Sequence, residues 1–179
     1  EKYVLFTKDN KASFINKKIK IESLEKKLNF DISNRQTFFE YSPLAIQYLK
    51  NIIKIIEKND GSLLILDYGY DNKMTKNTLQ AICNKKYSDV LENIGNSDIT
   101  YNINFNLFRK VTQKFKQIAI NFTTQKNFLT KIGIKQRAEI LSKNKTFKEK
   151  ADIYYRLKRL IDEKEMGNLF KVMLIKKLN

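Results

Sequence analysis

The clearest periodicity in this 179-residue chain begins at Ser42-Pro43. Leu44, Tyr48, Leu49, Ile52, Ile53 and Ile56 recur at helical spacing until Asn59, Asp60 and Gly61 stop the pattern. With Ser placed to cap and Pro in the first turn, this predicts a helix over about 43–58. Leu63 to Leu66 then form an unbroken apolar run, too short for a helix and set after a glycine turn. Such a run reads as a parallel strand buried on both faces. Ahead of the helix, Tyr3 to Phe6, Ser13 to Ile15 and Ile19 to Ile21 alternate as short strands with a turn at Lys8, Asp9 and Asn10, so residues 1–40 read as a β-rich arm.

Residues 70–104 are polar and loop-like, with 78–82 readable either as a turn of helix or as a short strand. Phe105, Phe108, Val111, Thr112 and Phe115 mark a further helix; Gln117 to Phe122 alternates as a strand, and Thr124 to Lys131 is helical with Gly133 as its stop. Leu141 to Lys145 separates this from a long amphipathic helix over about 147–165, with an apolar stripe of Ile153, Leu157, Leu160 and Ile161. Gly167 introduces a last strand from Leu169 to Ile175. Helix followed by buried strand, twice over, predicts an α/β sheet built by residues 41–179.

Composition removes whole classes of chemistry. With no histidine there is no Ser-His-Asp triad, no HExxH zinc site and no imidazole proton shuttle; no metal ligand set is expected. The lone cysteine, Cys83, cannot close an internal disulfide or a CxxC motif, which fits a reducing, cytoplasmic compartment. The five glycines are scattered, so neither a GxGxxG turn nor a P-loop is present. No apolar run approaches the roughly 18 residues of a membrane span. Glu1 in place of Met, followed directly by a strand, suggests that the chain starts inside a larger fold.

A net charge of +16 raises nucleic-acid binding, but 30 of the 35 basic residues are Lys, and Lys, Ile and Asn together are over-represented as AT-rich codons would make them. The charge sits in the last third, +13 over residues 101–179, scattered over helical faces with the aromatics on apolar stripes. A single-strand binder interleaves the two on one groove, so nucleic acid ranks below the other partners.

In an open α/β sheet ligands sit beyond the carboxyl ends of the strands, which is where Asp67, Tyr68 and Gly69 fall. A carboxylate there must reach solvent, a cation or donors, because burial unpaired costs several kcal/mol; Gly69 would let the chain turn and a substrate approach. The competing reading has Asp67 capping a turn. A second polar cluster, Gly95 to Thr100 followed by Asn102 and Asn104, reads either as a binding loop or as a turn with an N-cap.

The segments FEYSP (39–43), LLILDYGY (63–70), TLQAICNKKYSDVLENIGNSDITYNINF (78–105), TTQKNFLTKIGI (123–134) and EMGNLFKVM (165–173) resemble, in order and spacing, the carboxyl-terminal half of the MidA-type S-adenosylmethionine-dependent methyltransferases. Mitochondrial relatives of that family are assembly factors for respiratory complex I, in the matrix. The resemblance implies a class I, Rossmann-like fold. LLILD is then its fifth strand, 105–116 the following helix, and QIAINF with LFKVMLI an antiparallel final hairpin. The glycine-rich cofactor loop and the ribose-binding acid would lie upstream of residue 1. Family members carry a histidine near positions 84 and 85, where this chain has Asn84 and Lys85.

The implied reaction is methyl transfer to an arginine side chain of a partner protein, with S-adenosylmethionine held by the missing amino-terminal half. Asp67 and Asp98 would then pair with the acceptor guanidinium, while Glu40, Tyr68, Gly69, Thr100 and Gln125 would line or position the substrate. Gln125 reads equally well as a helix cap. The alternatives are a non-catalytic remnant or partner-binding protein without cofactor binding and, below these, a basic nucleic-acid-binding domain. Without the upstream strands the sheet should show a long open edge beside LLILD, leaving the isolated chain marginal or associated.

Overall fold

The computed structural model describes residues 1–178 except 10, 33, 35–37 and 73–76. In chain order the elements are β1 (Lys2–Phe6), β2 (Ala12–Asn16), α1 (Ile21–Leu28), α2 (Pro43–Asn59), β3 (Ser62–Tyr70), β4 (Gln80–Cys83), β5 (Lys86–Ser88), β6 (Asp98–Thr100) and β7 (Ile103–Asn104). They continue as α3 (Phe105–Thr112), β8 (Ile118–Thr124), α4 (Gln125–Lys131), α5 (Ile134–Ser142), α6 (Phe147–Ile161), α7 (Met166–Leu169) and β9 (Phe170–Lys177). The chain divides into two compact units, one of residues 1–40 with 73–102, the other of 41–72 with 103–179.

The first unit holds two small antiparallel sheets. β1 and β2 form a hairpin, and β4 lies between β5 and β6. Leu28, Phe30, Ile32 and Ala81 are buried, with the Phe30 and Phe39 rings 5.9 Å apart. The expected strand at Ile19 to Ile21 is absent. Ile19 and Lys20 are irregular and Ile21 opens α1, whose cap, Lys20, makes no side-chain hydrogen bond. Asn10, the third residue of the expected turn, lies outside the described residues. Asn84 and Lys85, at φ 50° and 63°, form the two-residue loop between β4 and β5. That conformation is the one a tight hairpin requires.

The second unit is built on a mixed sheet of order β7-β3-β9-β8. β9 runs antiparallel to both β3 and β8, and β7 pairs parallel with β3 only at Gly69 and Tyr70. The β8–β9 pair is the antiparallel final hairpin implied by the resemblance. Register places Ile65, Gly69, Met173, Ile175, Ile120 and Phe122 on one face of the sheet. α3 packs there, its Phe105 ring 5.4 Å from that of Phe122. α2 lies against α3 and the sheet, burying Ile46, Leu49, Ile53 and Ile56. Ser42 caps it by accepting from Ala45 N at 3.1 Å, and Pro43 occupies the first turn.

Two expectations fail in this unit. The Leu63 to Leu66 run is not buried on both faces, because Leu64 (44% exposed) and Leu66 (43%) lie bare on the face opposite Ile65. The strand also does not end at Asp67 but continues through Tyr70, drawn on by its pairing with β7. Among the described residues no strand pairs with the other edge of β3 over 62–68, which is the open edge expected beside LLILD.

The polypeptide between β8 and β9 folds into four helices, of which α5 and the short α7 were not expected. α6 buries none of its residues completely, so it depends heavily on its start. Thr146 Oγ accepts from Glu149 N, and Glu149 Oε2 accepts from both the N–H and the hydroxyl of Thr146 at 2.9 Å. These backbone and side-chain bonds, with Lys145 at 3.0 Å, pull the Glu149 carboxyl from 4.5 down to about 2. A depressed folded-state pKa stabilises fully above the unfolded value and loses that stabilisation as pH falls through the folded value. The helical circular dichroism signal should therefore fall between pH 4.5 and about 2. Glu149→Gln should flatten that titration; an unchanged titration in the variant would sink this account of the cap.

Candidate functional site

The carboxyl end of β3 is the point at which the sheet offers chemistry, and strand geometry decides what converges there. Successive side chains on a strand point to opposite faces, so Asp67 and Tyr68 do not share a surface. Asp67 is half-buried, on the face of Gly69, with Oδ1 accepting from Tyr68 N at 2.8 Å and Lys171 as its register partner across on β9. The Lys171 ammonium donates to the Asn168 carbonyl. Tyr68 lies on the opposite face, its ring 4.3 Å from Phe170.

Gly69 is packed tightly against α3. A Cβ built there would meet the Phe105 ring at 2.5 Å and the Ile103 carbonyl at 2.6 Å, so the space freed by the missing side chain is filled by α3. Gln125 is likewise committed elsewhere. It is 6% exposed, and its Nε2 donates to the Leu160 carbonyl at 2.8 Å in the last turn of α6. It does not cap its own helix, which Thr124 caps by accepting from Asn127 N at 3.3 Å; its amide satisfies a carbonyl orphaned at the end of α6.

Glu40, Asp98 and Thr100 belong to the other unit. Glu40 accepts from the Thr78 hydroxyl at 2.5 Å and from the N–H groups of Thr78 and Leu79 at 3.2 Å. The Thr78 hydroxyl in turn accepts from Asn102 N at 2.9 Å. Glu40 is thus a lock on the entry to β4, with its carboxylate consumed by protein donors. Thr100 accepts from Gln80 Nε2 at 3.1 Å across the β4–β6 pair, and Asp98 is exposed opposite Ile82.

The sequence offers Asn104 in a polar cluster readable as a binding loop or as a turn with an N-cap, and it is a cap, with Oδ1 accepting from Leu107 N at 3.0 Å. It is also 3% exposed, with an Nδ2 that finds no acceptor among the described residues. Asn106, not singled out in the sequence, donates to the Asp71 carbonyl and accepts from Arg109, tying the end of β3 to α3. A separate cavity of about 490 Å³ lies where α6 ends, lined by Leu157, Ile161 and the Lys126–Glu163 ion pair. None of the seven expected site residues lines it.

The five glycines do not make a cofactor cradle. Gly61, Gly95 and Gly133 sit in turns at positive φ, while the space beside Gly69 and Gly167 is taken by Phe105 and by the α6 carbonyls. These glycines therefore form no cradle for S-adenosylmethionine.

Residues 1–123 match the profile of a family of S-adenosyl-L-methionine-dependent methyltransferases, and the chain belongs to that family. It is 30% identical over 116 residues to the mitochondrial protein arginine methyltransferase NDUFAF7 of Danio rerio, spanning 65% of this chain and 27% of that protein. It is 30% identical over 140 residues to the Caenorhabditis elegans homolog, spanning 76% and 32%. A crystal structure from Burkholderia thailandensis superposes over 98% of this chain and 48% of its own, with TM-score 0.82 at 18% identity. A second from that organism, bound to S-adenosyl-homocysteine, covers 98% and 46% with TM-score 0.75 at 18% identity. The chain thus spans about half of these solved structures and about a third or less of the curated relatives. The fold is α/β, the mixed sheet of this methyltransferase family.

Proposed function

We propose that this chain is the substrate-side part of a protein methyltransferase that methylates an arginine side chain of a partner protein, such as a subunit of respiratory complex I. The observation that carries this reading is its match to relatives named protein arginine methyltransferases, within a family defined by S-adenosylmethionine dependence. Asp67, at the carboxyl end of β3, would orient a guanidinium by charge-assisted hydrogen bonds; the exposed Asp98 of the other unit is a separate candidate for that role, whereas Glu40 is held by Thr78 and Leu79. Tyr68 stacks beside Phe170 as an aromatic wall. The methyl donor is held by the companion, upstream half, which supplies the glycine-rich turn this chain lacks.

The test is complementation in trans. Mixed with a polypeptide carrying the family's amino-terminal half, the chain should bind S-adenosylmethionine by titration calorimetry and methylate an arginine-containing protein acceptor, while alone it should do neither. A correctly assembled pair that binds no methyl donor would overturn the enzymatic reading in favour of a non-catalytic partner-binding protein.

A further inference from the structure

α6 packs against α4, α5 and α7 through a half-buried stripe of Ile153, Leu157, Leu160 and Ile161, which spans about 100° of its circumference. Phe147, Ala151, Tyr154 and Tyr155 fill a second arc of similar width, about 120° round the helix, and all four are exposed, Phe147 by 89% and Tyr155 by 68%. The sequence reads as setting the aromatics of its last third on apolar, inward stripes; on α6 three of them face out. Bare rings gathered on one helix face mark a contact surface, and Phe and Tyr are enriched where such surfaces bury most.

The charge around these rings selects the partner. Lys158 lies within the aromatic arc and Lys148 and Arg159 along its border, and none of the three has an ion-pair partner among the described residues. The carboxylates of α6 are already taken, Glu149 by Lys145 at 3.0 Å and Asp152 by Arg156 at 2.9 Å. Lys158 also lines the cavity at the end of α6, whose apolar walls are Leu157 and Ile161. There Glu163 is matched by Lys126 at 2.6 Å, and Asp162 Oδ1 accepts from Lys164 N. The uncommitted charge is therefore positive along the arc and into the cavity, and its complement is a polypeptide carrying carboxylates beside apolar side chains.

Topology brings this surface to the end of the sheet where the chemistry is proposed. Thr124, the last residue of β8, stands opposite Lys171, and Lys171 stands opposite Asp67. The helices between β8 and β9 thus leave the sheet at the end that carries Asp67, two strand spacings or about 10 Å from it. Resting on the reading of this chain as part of a protein methyltransferase, we infer that the outward face of α6 and the cavity at its end dock an acidic, apolar-bearing segment of the acceptor protein. A membrane fits this face poorly, because a helix lying on lipid buries its main apolar stripe there, and that of α6 is turned to the protein. Nucleic acid fits poorly too, because the arc leads to Asp162 and Glu163, which repel phosphate.

The experiment titrates the full chain into a fluorescein-labelled peptide of Glu, Leu and Phe and follows anisotropy. The peptide should bind, more weakly as salt rises, and the same peptide with Lys for Glu should not. Tyr155→Ala and Lys158→Glu alter exposed positions, so each should keep the wild-type circular dichroism spectrum yet bind the acidic peptide roughly tenfold more weakly. Lys50→Glu, exposed on α2, makes the same change in net charge and should bind as the wild type does. An acidic peptide that does not bind, or that binds Tyr155→Ala and Lys158→Glu normally, would overturn the inference. So would equal weakening by Lys50→Glu, or an oligothymidylate or phosphatidylserine vesicle that binds this face more tightly than the peptide. The methyl donor enters none of these measurements. Peptide binding that depends on α6, in a chain whose assembled pair binds no S-adenosylmethionine, supports the docking surface and sinks only the enzymatic reading.

Discussion

Gly69→Ala should cost the second unit about 3 kcal/mol or more, among the largest losses available to a single methyl group in this protein. The added Cβ would stand 2.5 Å from two atoms of the Phe105 ring and 2.6 Å from the Ile103 carbonyl, and neither neighbour can give way cheaply. Phe105 is completely buried, and Ile103 is fixed by its pairing with Gly69 itself. At roughly 2–4 °C per kcal/mol for a chain of this size, thermal melting should move down by about 6–12 °C. Phe105→Leu should cost less in the Gly69→Ala background than in the wild type, since shrinking the ring relieves part of the clash; the difference is the coupling a double-mutant cycle measures. A Gly69→Ala protein that melts with the wild type would remove Phe105 as the reason for the glycine and restore substrate approach as its explanation.

Glu40→Ala should loosen the first unit locally. The substitution leaves the Thr78 N–H and hydroxyl without their acceptor, while the Leu79 N–H keeps Asn77 Oδ1 at 2.9 Å. Hydrogen bonds to a charged group are worth about 1.5–3 kcal/mol each, and water recovers part of that at a half-buried site. A net loss of about 2–3 kcal/mol corresponds to amide exchange at Thr78 about 30- to 150-fold faster, with a smaller change at Leu79, which keeps Asn77 as acceptor. The Asn102 amide should follow, because its acceptor is the Thr78 hydroxyl. Glu40→Gln, which keeps one acceptor oxygen, should fall between. A residue that only positioned a methyl acceptor would leave these amides untouched, so unchanged exchange in Glu40→Ala would overturn the lock and reopen the substrate role.

Where sequence and structure agree, a strong local signal was at work. Ser42 and Pro43 announce α2 because cap and first turn are both chemically specified. LLIL announces β3 because nothing else so apolar and so short follows a glycine turn. The helices that went unseen lack such signals: α1 is capped by Lys20, α5 by the left-handed Gly133 and α7 by Glu165, none with a side-chain cap hydrogen bond. The carboxyl end of β3 was legible in place but not in arrangement. Reading Asp67, Tyr68 and Gly69 as a turn brings them together, whereas β7 draws the strand on and the pleat separates Asp67 from Tyr68. Glu40's commitment to Thr78 joins residues 38 apart in sequence, and no local pattern encodes such a pair. The apolar excess of β3 was visible as composition; only the bare Leu64 and Leu66 show how much of it this chain leaves uncovered.

Thr124 and Lys171 face one another across the β8–β9 pair, so the polypeptide departs from the sheet and re-enters it within one strand spacing, about 5 Å. Everything from Gln125 to Leu169 hangs from that narrow gate. Its base is closed by the Gln125 amide on Leu160 and by Gly167, whose missing Cβ lets the backbone lie against the Ile161 and Asp162 carbonyls. Because lengthening a closed loop adds little entropy cost, such a cassette can be exchanged, shortened or elaborated while the hairpin beneath keeps its register. Lineages sharing this sheet are therefore free to diverge most at the helical crown without rebuilding the strands that carry it.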